Sequence, residues 1–157
     1  MKCRFCNTHI KHLFASLGQS PLANSNLTKD ELNKMEPFYP LEVYVCKKCL
    51  LVQLDEFESP YNIFSEYAYF SSYSDTWVKH VREYVNRIID RFGFHSQSFV
   101  VEIASNDGCL LQCFIENGIP VLGVEPAANV AEVARQKGIP TETVFFGKEE
   151  AARLVRE

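Results

Sequence analysis

No stretch of this chain approaches the roughly 20 consecutive apolar residues that a membrane-spanning helix needs. The N-terminus, MKCRFCNTHI, lacks the apolar core of a secretory signal. Basic residues are not in excess: 16 Lys and Arg stand against 20 Asp and Glu, for a formal charge of −4. With no Lys/Arg cluster there is no electrostatic footprint for nucleic acid. Glycine is sparse, at seven residues, and there is no internal repeat or low-complexity tract. These absences make the cytoplasm the expected address and argue against membrane and nucleic acid as partners.

What is present can build a core. The 157 residues are 46% hydrophobic and 13% aromatic. That suffices for one ordinary domain, or for a small module joined to an incomplete larger one. The texture favours the second. Up to about residue 60 helical periodicity is weak. The text is polar and turn-forming in LGQSPLANSN, then β-like in LEVYVCKKCLLVQL, which reads as two strands bent around a cysteine pair. A Tyr/Ser-rich connector follows at 61–76. From Trp77, the positions Val81, Tyr84, Val85, Ile88, Ile89 and Phe92 fall at helical spacing, with Ser72 or Ser74 as N-cap and Gly93 as C-terminal stop. A regular alternation comes next: strand SFVVEIA, helix GCLLQCFIENG, strand VLGVEP, helix ANVAEVARQKG, strand TETVFF and helix EEAARLVRE. The fold class is α/β, a small loop/β module (1–60) followed by a partial Rossmann-like parallel sheet with helices (77–157).

Six cysteines in such a chain point to metal or buried thiols before disulfides. Cys3 with Cys6, and Cys46 with Cys49, form two C-x-x-C knuckles whose four thiolates suit a closed, structural zinc site. Two unrelated buried pairs are the bland alternative. A redox pair would open a helix in a thioredoxin-like βαβ unit, and neither pair has that setting. His9 and His12 read as surface histidines beside a filled shell, and Cys109 and Cys113 as core packing.

The turn after the first Rossmann strand narrows the cofactor. A dinucleotide fingerprint would place glycines at 104, 106 and 109, where the chain has Ala104, Asn106 and Cys109. The acidic form used for S-adenosylmethionine (SAM), roughly E-x-G-x-G-x-G, meets Glu102, Ala104, Asn106 and Gly108 and is satisfied at two of four positions. Asn tolerates the left-handed region. Ala104 costs on the order of 1–2 kcal/mol if its φ is positive, and otherwise only crowds the cofactor. Glu102 and Asp107 are candidates for the ammonium of the methionine part, and the N–H groups at the helix start for its carboxylate. Glu125, ending the second strand, is placed to accept ribose hydroxyls; alternatively it is a solvated strand-end glutamate.

Taken together, CRFC…PLAN…YPLEVYVCKKCLLVQL, YAYFSSYSDTWVKH, VEIASNDGCLL and GVEPAANVAEVARQKGIPTETVFFG resemble the front part of the SAM-dependent sugar C-methyltransferases. That family methylates a ketosugar attached to a nucleotide, by removing an α-proton and letting the enolate attack the SAM methyl. The resemblance implies zinc on the four cysteines and a SAM loop at Glu102, Ala104, Ser105, Asn106, Asp107 and Gly108, with Ala104 the departure from the usual glycine. It makes Glu125 the ribose acid. It also implies cofactor and substrate contacts from the connector, Tyr67, Tyr69, Ser71 and Ser72, which could otherwise be an aromatic hinge. The family's catalytic base has no match here, so no catalytic residue is assigned. Because the family's sheet continues beyond what this chain contains, FVVEIA is expected to be an edge. Either the chain is a piece of a longer protein, or that edge pairs with something, a second copy included. The competing function is a non-catalytic zinc-bearing structural or interaction module. A nucleic-acid-binding zinc ribbon is disfavoured by the acidic balance.

Overall fold

The structure is a computed structural model describing residues 1–156. The chain divides into two compact units, Met1–Ile63 and the residues from Phe64 onward. In the first, β1 (His12–Ser20), β2 (Tyr39–Val45) and β3 (Val52–Leu54) form an antiparallel sheet in that order. Val45 pairs with His12 on one side and Val52 on the other. The knuckle preceding β1 and the knuckle joining β2 to β3 therefore arrive at the same end of the sheet. That register closes the long sequence gap between the two cysteine pairs.

The two strands expected around the second pair are β2 and β3. β1 is a correction, because LGQS, read above as turn-forming, continues a nine-residue strand. Its residues are exposed or half-buried throughout, so no inward–outward alternation marks it. The pairing with β2 is irregular as well, with one shift between Ser16 and Gln19, where Gly18 has φ 81°. Among the described residues of this unit only Cys3, Ile10, Cys46 and Gln53 are buried. That is too little apolar burial to hold some 60 residues without help.

A short helix, α1 (Pro60–Phe64), spans the junction, and an extended strap leads through one 3₁₀ turn (Ser71–Tyr73) to α2 (Asp75–Phe92). Of the two candidate caps, Ser74 serves: its hydroxyl accepts the Trp77 N–H at 3.3 Å. Gly93 ends the helix at φ 64°, its N–H bonded to the Ile89 carbonyl. Val81 and Val85 are buried, Ile88 and Ile89 pack beside them, and Tyr84 and Phe92 lie on the exposed flank.

The second sheet is parallel, in the order β4 (Val100–Ile103), β5 (Val121–Val124), β6 (Thr141–Glu142). Its crossovers are α3 (Cys109–Glu116) and α4 (Ala128–Gln136). Cys109 and Cys113 are buried with Leu111, Phe114, Ile119, Val121 and Ile139. This parallel arrangement sets the loops after β4 and β5 side by side at the carboxyl edge, where α/β sheets bind ligands.

The expected edge is present: among the described residues β4 pairs only with β5, and Val101 and Ile103 are 46% and 54% exposed. Two expectations need correcting. TETVFF pairs only through Thr141 and Glu142 before the chain bends away. The last helix, α5, is Lys148–Leu154, and Glu157 lies outside the described residues.

Two glycines allow a clean comparison. Gly93 and Gly108 both have positive φ, but a Cβ at Gly93 would meet open space, whereas one at Gly108 would lie 2.3 Å from Ile139 Cδ1. Gly93→Ala is expected to cost about 1 kcal/mol, the left-handed penalty alone. Gly108→Ala should cost roughly 2–4 kcal/mol, because overpacking is added. Paired thermal melts of the two variants measure the difference.

Candidate functional site

Each knuckle is set by the same backbone device. The Cys3 N–H bonds to the Thr8 carbonyl (2.9 Å) and the Asn7 N–H to the Cys3 carbonyl (3.0 Å). In the second knuckle Cys46 N–H bonds to the Leu51 carbonyl (3.0 Å) and Leu50 N–H to the Cys46 carbonyl (2.9 Å). Asn7 and Leu50 occupy equivalent places and both take the left-handed conformation, φ 58° and 63°. Each knuckle thus doubles back after its second cysteine, aiming both sulfurs inward.

The four Sγ atoms lie within 4.8 Å of one another, with Cys3–Cys49 and Cys6–Cys46 at 3.5 Å. A tetrahedron with Zn–S bonds near 2.3 Å has edges of about 3.8 Å, so the donor set fits zinc. A partner outside the quartet steadies one sulfur: the Gln53 amide donates to Cys3 Sγ at 3.4 Å and its Oε1 accepts the Arg4 N–H at 3.1 Å. The Cys6 N–H, with Gln53 assisting, draws the Cys3 thiol down to about 6. At Cys49 the Leu51 N–H favours the thiolate, but burial and the neighbouring sulfurs win, pushing it up to about 12. Cys6 is lowered as well, chiefly by Thr8, so the four close-packed sulfurs titrate as a set. His9 and His12 are exposed and lie outside the cluster.

The second candidate site is built on the loop after β4. Ala104, Asn106 and Gly108 have φ of 58°, 51° and 75°. All three positions of the glycine pattern are therefore left-handed, and Ala104 carries the steric penalty. The loop is secured from β5, where the Val124 carbonyl accepts the Ala104 N–H at 2.8 Å. Glu125, 6% exposed, accepts the Asn106 N–H on Oε2 (2.8 Å) and the Ala127 N–H on Oε1 (2.9 Å). Each of its oxygens keeps a further lone pair.

Asp107 is fully buried and is bound to Lys137 Nζ at 2.9 Å and to the Ser72 hydroxyl and N–H. Burial acts to raise its pKa, but Lys137 and Ser72 more than offset this and hold it below the usual carboxylate range. Its ammonium partner is thus supplied from within. Glu102 differs: its Oε2 is buried without a hydrogen-bond partner. Burial first, then the nearby Glu125 and Asp107 carboxylates, push it up to about 7. The Ser105 hydroxyl is likewise buried and unpaired.

The connector residues meet this loop. The Ser71 N–H bonds to Asn106 Oδ1 (2.7 Å), Asn106 Nδ2 donates to the Tyr69 carbonyl (3.1 Å), and Ser72 bonds Asp107. Tyr67 is held by Asn129 through its backbone. All of the candidate loop and connector residues thus belong to one region. Sequence reasoning missed Lys137 and Asn129, because a lysine in a last helical turn and an asparagine in a first turn are ordinary helix-end residues.

Residues 3–64 match the model of the Methyltransf_13 family, a zinc binding domain. The chain is also 34% identical over 148 residues to C-methyltransferase NovU from Streptomyces niveus, covering 94% of this chain and 35% of that protein. It therefore spans about a third of the length of the relative it matches.

Chelation is expected to release one zinc per chain and to abolish the β-sheet signal of the first unit, because little else is buried there; metal analysis with far-UV circular dichroism measures both. For Glu102 the sign follows from a folded pKa above the unfolded value. Its contribution is intact below about pH 4.5 and is lost as pH rises through about 7. Glu102→Gln should therefore raise the melting temperature at pH 8 and leave it nearly unchanged at pH 4.5.

Proposed function

We propose that this chain supplies the zinc-bearing and cofactor-holding part of a C-methyltransferase, a SAM-dependent enzyme acting on a nucleotide-linked ketosugar; the zinc binding domain match and the 34% identity to a C-methyltransferase support that reading. One observation carries the cofactor reading: Glu102 presents a buried, unpartnered carboxylate oxygen beside a loop whose backbone is left-handed at 104, 106 and 108. A buried lone acceptor calls for a donor, and a cationic one for preference. The α-ammonium of SAM is such a group, and the ribose hydroxyls suit the free lone pairs of Glu125.

When bound, SAM supplies an electrophilic methyl group. The residues here bind and orient it: Glu102 the amino-acid end, Glu125 the ribose, and the strap residues Tyr67, Tyr69, Ser71 and Ser72 the cover. Asp107 acts through Ser72 and Lys137 to hold that cover and the loop together. The zinc is structural, since four sulfurs leave no open position for a substrate. The sugar specificity rests on the family resemblance alone. The competing reading, a zinc-bearing interaction module without cofactor use, draws on the open β4 edge.

Calorimetric titration with S-adenosylhomocysteine, with NAD as control, separates the two. Saturable and selective binding is expected. If Glu102 must ionise to accept the ammonium, affinity should rise roughly tenfold from pH 6 to pH 8, and Glu102→Gln should flatten that rise. A folded, zinc-loaded chain that binds no S-adenosylhomocysteine would sink the cofactor reading.

A further inference from the structure

The strap between Phe64 and Ser74 forms no strand pairing, so its position rests on side chains reaching its backbone. Three do so. Asp107 and Asn106 hold the end nearest α2, at Ser72, Ser71 and Tyr69. The other end meets the start of α4. The Asn129 amide takes both polar groups of one residue: Oδ1 accepts the Tyr67 N–H at 3.0 Å, and Nδ2 donates to the Tyr67 carbonyl at 2.8 Å. Next to it the Ala128 N–H donates to the Ser65 carbonyl at 3.0 Å.

A carboxamide is the one side-chain group that offers an acceptor and a donor side by side, as a peptide unit does. Asn129 therefore substitutes for a rung of β-pairing. Asn106 repeats the device at Tyr69 and Ser71, and its own N–H is held by Glu125. Ala68 alone lies between the clamped backbone groups of Tyr67 and Tyr69, and the Tyr69 side chain is half exposed.

We propose that Asn129 is a positioning residue, which latches the strap through both polar groups of Tyr67 and so fixes the covering tyrosines over the cofactor loop. The latching part stands on the hydrogen bonds alone; the positioning role rests on the SAM reading above. Asn129 is itself exposed on the first turn of α4, so removing its amide opens no cavity in the core.

The test uses the full zinc-loaded chain, with amide hydrogen exchange followed residue by residue and S-adenosylhomocysteine titrated by calorimetry. In Asn129→Ala, exchange at Tyr67 should quicken about tenfold or more, the effect of losing one to two hydrogen bonds. The α4 amides of Ala131 and Ala134 should be unchanged, and the Kd should weaken roughly fivefold to twentyfold. Asn129→Asp keeps the acceptor and loses the donor, so the Tyr67 N–H should stay protected while affinity falls in part. Unchanged Tyr67 exchange in Asn129→Ala would overturn the latch. Faster exchange with unaltered affinity would overturn the positioning role. A wild-type chain that binds no S-adenosylhomocysteine would sink the SAM reading and the positioning role with it; the exchange result then decides the latch.

Discussion

The second unit is organised around one buried carboxylate. Asp107, on the loop after β4, has no exposure, and its partners come from two further places that share no regular pairing with it: the strap before α2 and the end of α4. An ionised carboxylate in that position is tolerable only because Lys137 and Ser72 face it. Removing Lys137 leaves the buried Asp107 carboxylate without a cation, whereas Lys137, a third exposed, reaches water if Asp107 is removed. Because the folded pKa is depressed, this contribution is present across neutral pH and is lost only as pH falls through the low carboxylate range. The loop, the strap and the helix end therefore keep their relationship over the range in which an enzyme would work.

The first unit solves a different problem. It buries almost no aliphatic surface apart from Ile10, while Phe14, Leu17 and Phe38 lie exposed. Sulfur replaces carbon at the centre, with Cys3 and Cys46 as the buried members around which Met1 and Tyr44 pack. Paired sheet register brings the two knuckles together, with four sulfurs spaced to fit a zinc ion. The exposed Leu50 in a left-handed conformation is a local cost that the second knuckle accepts in order to turn its sulfurs inward.

Much of this was legible in the residues, for reasons that differ from place to place. Cysteine spacing revealed the quartet because metal geometry leaves few alternatives. The βα alternation and the Ser74 and Gly93 boundaries were legible because local chemistry determines them. β1 was not, since a strand exposed along both faces carries no periodicity. The short β6 was misjudged because its extent depends on how many β5 residues remain to pair with it. Lys137 and Asn129 escaped notice because their partners, Asp107 and Tyr67, are 30 and 62 residues away along the chain. In Ala104 the sequence posed two alternatives that only φ could decide.

The left-handed loop has a thermodynamic meaning of its own. Three of its five residues occupy the unusual conformation, and the Ser71 N–H of the strap and the Glu125 carboxylate after β5 hold Asn106 in it. The conformational entropy of ordering this segment is thus lost during folding rather than during association. A molecule arriving at such a surface meets a finished mould. Its binding should carry the heat of contacts made, with little of the large opposing entropy that accompanies a segment folding around its guest.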